Sequence, residues 1–498
     1  MMRAVLISAI PVLHFLNKNS YPVYLPEAFL LWVLIFAGFW AVQRVCRQAG
    51  MSWIFYGLTL AFYLDFFVGS GRLALAVFLA VCLLRERVAR IFLTVSWAAF
   101  AFVLILGFLN PTFLYSSRAS SEGQGSPAKK PHIFVFILDE HGGLVDYPDI
   151  AKDYVNKGFQ VFPRAYSNYN AAWASIGSLL NASTEGRQVL MEKVALKQNR
   201  LLEGLSREGY PVYIYQNPHV DFSQTLGFAA KKVFKYQEDS VGYLAGLPVS
   251  LHGKVWVLFN NFIESSRSKT AIKILRRFHR PENRGLYMTG ALAIRRILQE
   301  MEADTVKEKN GGIFFAHIHN PHSHYVYKAS GALLDPLAWE PCHSVALDNE
   351  GTLNTTESRI RKHALAAGQI GYLHKVIGDF MDRLNARGLY EDSTFVFISN
   401  YGSHIYRIHA NARNRDRLTL AEYKDGYSVL LAIKNGGYNK EWPVNQGGTV
   451  QSMTPASLVL ADYFHFPPKR NAEKEALHSI YLPTEDPFEW VKNSPPEF

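Results

Sequence analysis

The chain has 498 residues, 49% of them hydrophobic and 14% aromatic, with 19% charged and a formal net charge of +10. That length excludes a single small core, and part of the positive charge lies in short loops between N-terminal apolar runs, where it reports membrane topology rather than nucleic-acid binding. Of three cysteines, Cys46, Cys82 and Cys342, only the last lies beyond the apolar region, which excludes a disulfide inside the soluble part.

Apolar runs occupy 3–17, 26–43, 53–69, 72–84 and 91–110. A full crossing takes about 20 residues, so the second, third and fifth fit and the first and fourth are short. Arg44 and Arg47 follow the second run, and Arg85, Arg87 and Arg90 follow the fourth. Basic loops mark the cytoplasmic side. Five crossings starting inside therefore place everything after Asn110 outside. The expected organisation is an α-helical transmembrane domain over 1–112, a flexible linker over 113–130, a globular domain over 131–465, and an extended, proline-containing tail over 466–498.

The globular part opens on Ile133-Phe134-Val135-Phe136-Ile137-Leu138, an unbroken apolar run. Such a run predicts a strand buried on both faces, as in a parallel sheet. It ends in Asp139-Glu140-His141, two carboxylates at a strand tip, where α/β proteins place their ligands. Ser167 to Asn181 then reads as a polar turn feeding a helix N-terminus, a ready anion site. Further strands are predicted at 210–215, 312–317, 394–399 and 427–433, with helices over 291–302 and 364–384 between them. Strands alternating with helices imply a mostly parallel sheet covered on both faces.

Four stretches carry a resemblance. They are the first strand with Asp139, the Ala172…Ser175…Ser178 helix start, the Pro321-His322 motif after Phe314-Phe315-Ala316-His317, and Ile398-Ser399-Asn400-Tyr401-Gly402-Ser403-His404. In this order they resemble the sulfatase-like branch of the alkaline phosphatase superfamily. With the preceding apolar runs, they are similar to membrane phosphoethanolamine transferases and lipoteichoic acid synthases. The resemblance implies an α/β fold with a central, mostly parallel sheet. It also implies a metal-binding acid at Asp139, a nucleophile at position 172, a histidine contacting the substrate anion at His322 of the Pro-His motif, and metal ligands at positions 400 and 401. This chain has Ala172, Asn400 and Tyr401 at three of those places.

Family chemistry needs a divalent cation, and a tight zinc site takes about four N, O or S ligands. By the family pattern only Asp139, helped by Glu140 and a neutral oxygen of Asn400, remains. The expectation is a pocket without a resident cofactor, calcium or zinc being the cations to test. Its lining would be Asp139, Glu140, Ala172, Ser175, His317, His322, Asn400, Tyr401 and His404. Ser175, one helical turn from 172, shares that face and is a candidate replacement nucleophile, although a serine there usually packs or caps. His141, His319 and His324 offer an alternative constellation with His404.

Three functions remain open at this point. The first is a catalytically degenerate domain on the outer side of a bacterial inner membrane, binding an anionic polysaccharide, a lipid-linked glycan or a membrane-protein partner. The second is an active sulfuric or phosphoric ester hydrolase or transferase on surface glycans or lipids, and the third is a structural scaffold. Residues 250–284 add a basic, aromatic insertion suited to a membrane surface or an anionic polymer.

Overall fold

The computed structural model describes residues 2–19, 21–68, 75–79, 130–184, 198–216, 220, 222, 227–236, 241–245, 247–264, 289–335, 338–339, 354–405, 407–468, 471–484 and 490–494. The helices are α1 (Met2–Lys18), α2 (Pro26–Gln48), α3 (Ser52–Val68), α4 (Pro148–Asn156), α5 (Ala172–Asn181), α6 (Arg200–Arg207), α7 (Leu251–Glu264), α8 (Thr289–Lys307), α9 (Thr356–Ala386), α10 (Leu420–Tyr427), α11 (Ala456–Tyr463) and α12 (Asn471–Leu477). The strands are β1 (Ile133–Leu138), β2 (Gln160–Val161), β3 (Ala165–Tyr166), β4 (Val212–Gln216), β5 (Ala230–Lys235), β6 (Ile313–Ile318), β7 (Thr394–Ser399), β8 (Leu431–Lys434), β9 (Gly448–Thr449), β10 (Thr454–Pro455), β11 (Ile480–Pro483) and β12 (Trp490–Asn493).

Two compact units emerge. One joins the N-terminal helices to 239–289 and 333–342; the other holds the remainder of the chain from Ala119 onward. In the first unit, α2 is long and apolar enough to cross a membrane. Its 23 residues span roughly 34 Å at 1.5 Å per residue. Helices α1 and α3 cover the first and third apolar runs with 17 residues each. The fifth run, 91–110, and most of the fourth lie outside the described residues, as does the 113–130 linker apart from Lys130.

The second unit is built on an eight-stranded mixed sheet in the order β5-β4-β6-β1-β7-β8-β2-β9. The central strands β5, β4, β6, β1 and β7 run parallel, as the apolar runs predict. Strand alternation divides the core in two. On one face Phe134 stacks between Phe314 at 5.0 Å and Phe395 at 4.6 Å, and Phe380 of α9 closes edge-on over it at 5.7 Å. On the other, Ile133, Val135, Ile137, Phe315, Val396 and Ile398 pack with Ile176 and Leu179 of α5, Leu202 of α6 and Leu460 of α11. Each fully buried aromatic or aliphatic side chain there contributes about 1.5–3 kcal/mol.

The tail corrects the expectation of an extended segment over 466–498. Residues 471–483 form α12 and β11, and β11 pairs antiparallel with β12. Asn168 donates to the carbonyls of Leu477 and Ser479 at 2.6 and 2.8 Å, and Tyr481 stacks on Tyr169 at 5.0 Å. Pro483 ends β11, as a residue without an N–H is tolerated at the end of an edge strand.

Candidate active site

Register places the site. Leu138 pairs with Ile318 on one side and Ser399 on the other. One residue further along the three parallel strands stand Asp139, His319 and Asn400. They share the face of Ile137, His317 and Ile398 because side chains alternate with period two. Position 317 lies one row earlier, still within the strand. The His317 ring therefore sits 1% exposed, edge-on to Phe222 at 5.9 Å.

Beyond the strand ends the groups converge. His319 Nε2 lies 3.3 Å from Asp139 Oδ2, and His322 Nε2 lies 3.3 Å from Glu140 Oε1. His404 Nδ1 lies 3.2 Å from the same Glu140 oxygen. The rings of His319 and His322 stack at 3.9 Å, and Tyr401 stacks on His404 at 4.1 Å. Gly402 brings this last loop in: a side chain there would collide with the Asp425 carbonyl, and the Gly402 and His404 N–H groups donate to the Gly426 and Asp425 carbonyls at 3.1 and 3.0 Å.

Electrostatics follow from burial. Burial pushes the Glu140 carboxyl up to about 7, opposed by His322 and reinforced by the neighbouring charge of Asp139. Burial works the same way on Asp139, but His319, His322, His317 and the Asn400 amide outweigh it and hold the carboxyl below its ordinary range. Burial lowers His404 to about 4. One carboxylate is therefore charged and its neighbour proton-bearing near neutrality.

The donor set fits a divalent cation. In the neutral rings, His322 Nδ1–H donates to the Ser323 carbonyl at 2.6 Å and His404 Nε2–H donates to the Asn170 carbonyl at 2.9 Å. Each ring then turns a lone pair, from Nε2 and Nδ1 respectively, toward Glu140 Oε1. Acceptors facing acceptors need a proton or a cation between them, and an imidazole whose second nitrogen donates to a carbonyl is the usual posture of a metal ligand. The buried Glu140 Oε2 has no hydrogen-bond partner among the described residues. Ligand atoms of Asp139, His319 and His322 lie within 4.8 Å of one another. A 2+ ion would balance Asp139 and Glu140 once Glu140 gives up its proton.

Asn400 is corrected as a metal ligand. Its Oδ1 accepts from the Glu140 and Tyr401 N–H groups at 3.2 and 2.9 Å, and its Nδ2 donates to Asp139 Oδ1. Two N–H donors aimed at one atom make that atom the oxygen, and no lone pair is left for an ion. The family position thus keeps an orienting role and supplies no metal bond. Tyr401 contributes its backbone N–H and its ring.

Helix α5 begins at Ala172 without a side-chain cap. Asn170, two residues before it, carries the carbonyl that His404 reaches, so the helix start adjoins the cluster. Ser175 is fully buried, hydrogen-bonded to Ser167 Oγ at 2.8 Å and to the Tyr169 carbonyl at 2.6 Å. These bonds hold the turn before the helix. His141 turns the other way: its Nε2 meets His374 Nε2 of α9 at 2.7 Å, and His374 Nδ1 meets the Tyr154 hydroxyl at 2.9 Å. His324 lies buried in the same loop as His322, its carbonyl accepting from Gln369 at 3.2 Å. From the sequence, His319 belongs only to an alternative constellation with His141, His324 and His404. Its usable signal was alternation from His317 past the strand end.

The family model described as Sulfatase matches residues 138–462. Among solved structures, the phosphonate monoester hydrolase of Agrobacterium radiobacter is 14% identical with a TM-score of 0.44, covering 68% of this chain and 74% of that one. The C-terminal periplasmic domain of EcEptC from Escherichia coli is 11% identical with a TM-score of 0.41, covering 74% and 94%. A putative sulfatase from Bacteroides fragilis is 12% identical with a TM-score of 0.40, covering 74% and 83%. No curated protein matches the chain. The family model spans most of the globular domain, from the tip of β1 to the end of α11, and on that match the chain belongs to the sulfatase family.

Proposed function

We propose that this protein is a membrane-anchored sulfatase-family protein that binds a divalent cation at the β1 tip and, beside it, the phosphate or sulfate ester of an envelope lipid or glycan. It forms no covalent intermediate on α5. One observation carries this reading: Asp139, Glu140, His319, His322 and His404 converge from three parts of the chain while the helix start beside them offers Ala172.

Asp139, His319 and His322 would hold the ion, with Glu140 and His404 adjoining. A bound cation supplies Lewis-acid polarisation of the ester oxygen. Asn400 orients Asp139. The uncapped first-turn N–H groups of α5 would receive the anionic oxygens, since helix N-termini favour negative charge. Methyl side chains at Ala171 and Ala172 leave those N–H groups open but supply no attacking atom.

A second reading has its own support. Glu140, with its carboxyl near 7 and one unpartnered oxygen, suits a general base that takes a proton from water. Ester cleavage would then pass directly to water.

The full chain in detergent, supplied with trace divalent ions and then dialysed, is the material for the test. Calorimetric titration with inorganic phosphate and sulfate should show anion binding that disappears with chelator and with Asp139→Ala. Absence of both retained metal and metal-dependent anion binding would reject the proposal. Turnover of an aryl phosphate or sulfate ester in heavy-oxygen water, with label in the released anion, would select the second reading.

A further inference from the structure

The stretches 239–289 and 333–342 depart from the globular body and pack with the N-terminal helices. Helix α7 lies in the first. Its Val257, Leu258 and Phe262 are buried, and Phe262 meets Phe15 of α1 edge-on at 5.5 Å. Lys254 Nζ of α7 lies 3.5 Å from Glu27 Oε1 in the first turn of α2, with side-chain exposures of 13% and 3%. Tyr21 donates its hydroxyl to the same Glu27 oxygen at 2.7 Å, and Lys254 also donates to the Ala245 carbonyl at 3.0 Å. The second stretch joins through Ser250, which donates to Asp335 Oδ2 at 3.1 Å.

Burial along α2 shows how local this seat is. Glu27, Ala28 and Leu31 are its buried residues. Further on, Leu34, Trp40 and Val45 stand exposed, as an apolar helix facing lipid does. Leu16 and Tyr21, on either side of the turn between α1 and α2, are each 2% exposed. Helix α7 therefore closes the α1–α2 turn, while further along α2 Phe39 packs edge-on against Phe62 of α3 at 5.6 Å.

We infer that α7 is an internal anchor, a docking surface whose partner is this chain's own α1–α2 turn. The globular domain is then attached to the helical unit non-covalently through its insertion as well as covalently through 113–130. The charge pattern supports this. Glu27 sits at a helix N-terminus, where a carboxylate is favoured. A buried carboxylate needs both a countercharge and further hydrogen bonds, and Lys254 and Tyr21 supply them. The insertion's other basic residues, between 265 and 288, lie outside the described residues. When α2 crosses a bilayer, the Glu27 end lies on the side of α7 and the Arg44–Arg47 end on the other, as basic residues on the cytoplasmic side require.

The test uses the full chain in detergent with a protease site placed within 119–128 and an affinity tag on the N-terminus. After cleavage, the C-terminal fragment should still co-purify with the tagged helices. Lys254→Glu should reduce co-purification by about tenfold or more, since removing one partner of a buried pair leaves the other uncompensated. Glu27→Lys combined with Lys254→Glu should restore it. Metal content at Asp139 should not change in either variant, which separates this result from the proposed function. Separation of the wild-type fragments after cleavage, or wild-type behaviour of Lys254→Glu, would overturn the inference.

Discussion

Glu140 and His404 face each other at 3.2 Å, and both hold left-handed backbone conformations, φ 60° and 56°. Neither is glycine, so each costs about 1–2 kcal/mol relative to an ordinary conformation. The fold thus holds two strained residues to aim a carboxylate and a ring nitrogen at one point, a pattern concentrated at functional sites.

Glu140→Gly should therefore stabilise the metal-free chain while it destroys the site. Glycine adopts positive φ without strain, and the change also removes a buried carboxylate oxygen that lacks a partner. The expected gain is about 1 kcal/mol in chemical denaturation, with metal retention lost. A loss of stability would show that the strain is balanced by contacts of Glu140 itself.

Asn400→Leu should leave the fold intact and weaken metal binding by about 10–100-fold, the usual cost of removing an orienting partner of a ligand. Competition with a chelator of known affinity reads this directly. Asn400→Ala should behave alike, because the lost contacts are those to Asp139 and the Glu140 N–H.

A pH-dependent term should come from Asp425. Burial raises its carboxyl to about 7, the Ser403 hydroxyl opposing and Asp146 and Glu422 reinforcing. The unfolded value is near 3.9. The folded state therefore keeps a proton that the unfolded state has released, and its advantage is full below the unfolded value and lost as pH rises toward about 7. Asp425→Asn should accordingly have little effect on stability near about pH 4, and a gain that grows up to about pH 7 and then levels off. A gain that is flat across that range would rule out Asp425 as its source.

Lys434→Met should cost about 3 kcal/mol in denaturant unfolding of the detergent-solubilised chain, since buried acceptors left without donors are expensive. The ammonium reaches the carbonyls of Tyr390, Glu391 and Ser393 at 2.8, 3.1 and 3.1 Å and lies 4.2 Å over the Tyr390 ring. An unchanged midpoint would mean that these carbonyls find other donors.

Legibility in the sequence followed the kind of information involved. Strands β1, β6 and β7 and the two long helices were legible because burial on both faces, or helical periodicity, is a local pattern. Asp139 and Glu140 were legible as the abrupt end of such a run. The cation set was not, since His319 joins Asp139 only through a register shared by strands 180 residues apart in sequence (Ile133 beside Ile313). Which of four nearby histidines crosses the strand end is a property of that register. Reading Asn400 as a weak ligand failed for a related reason: its oxygen is consumed by the N–H groups of Glu140 and Tyr401, and the first belongs to a distant strand. The tail misled because proline content reports turns as well as extension.

The C-terminal hairpin has a consequence for the order of events in biogenesis. Asn168 and Tyr169, which lead into α5, hang on Leu477, Ser479 and Tyr481. The turn before α5 cannot take its final shape until those late residues have been synthesised and have reached the same compartment. A ribosome-stalled or truncated product ending before α12 would hold the strand-tip histidines but no fixed helix start beside them. Maturation of the pocket is thereby tied to the arrival of α12 and β11, a delay between folding of the sheet and competence of the site.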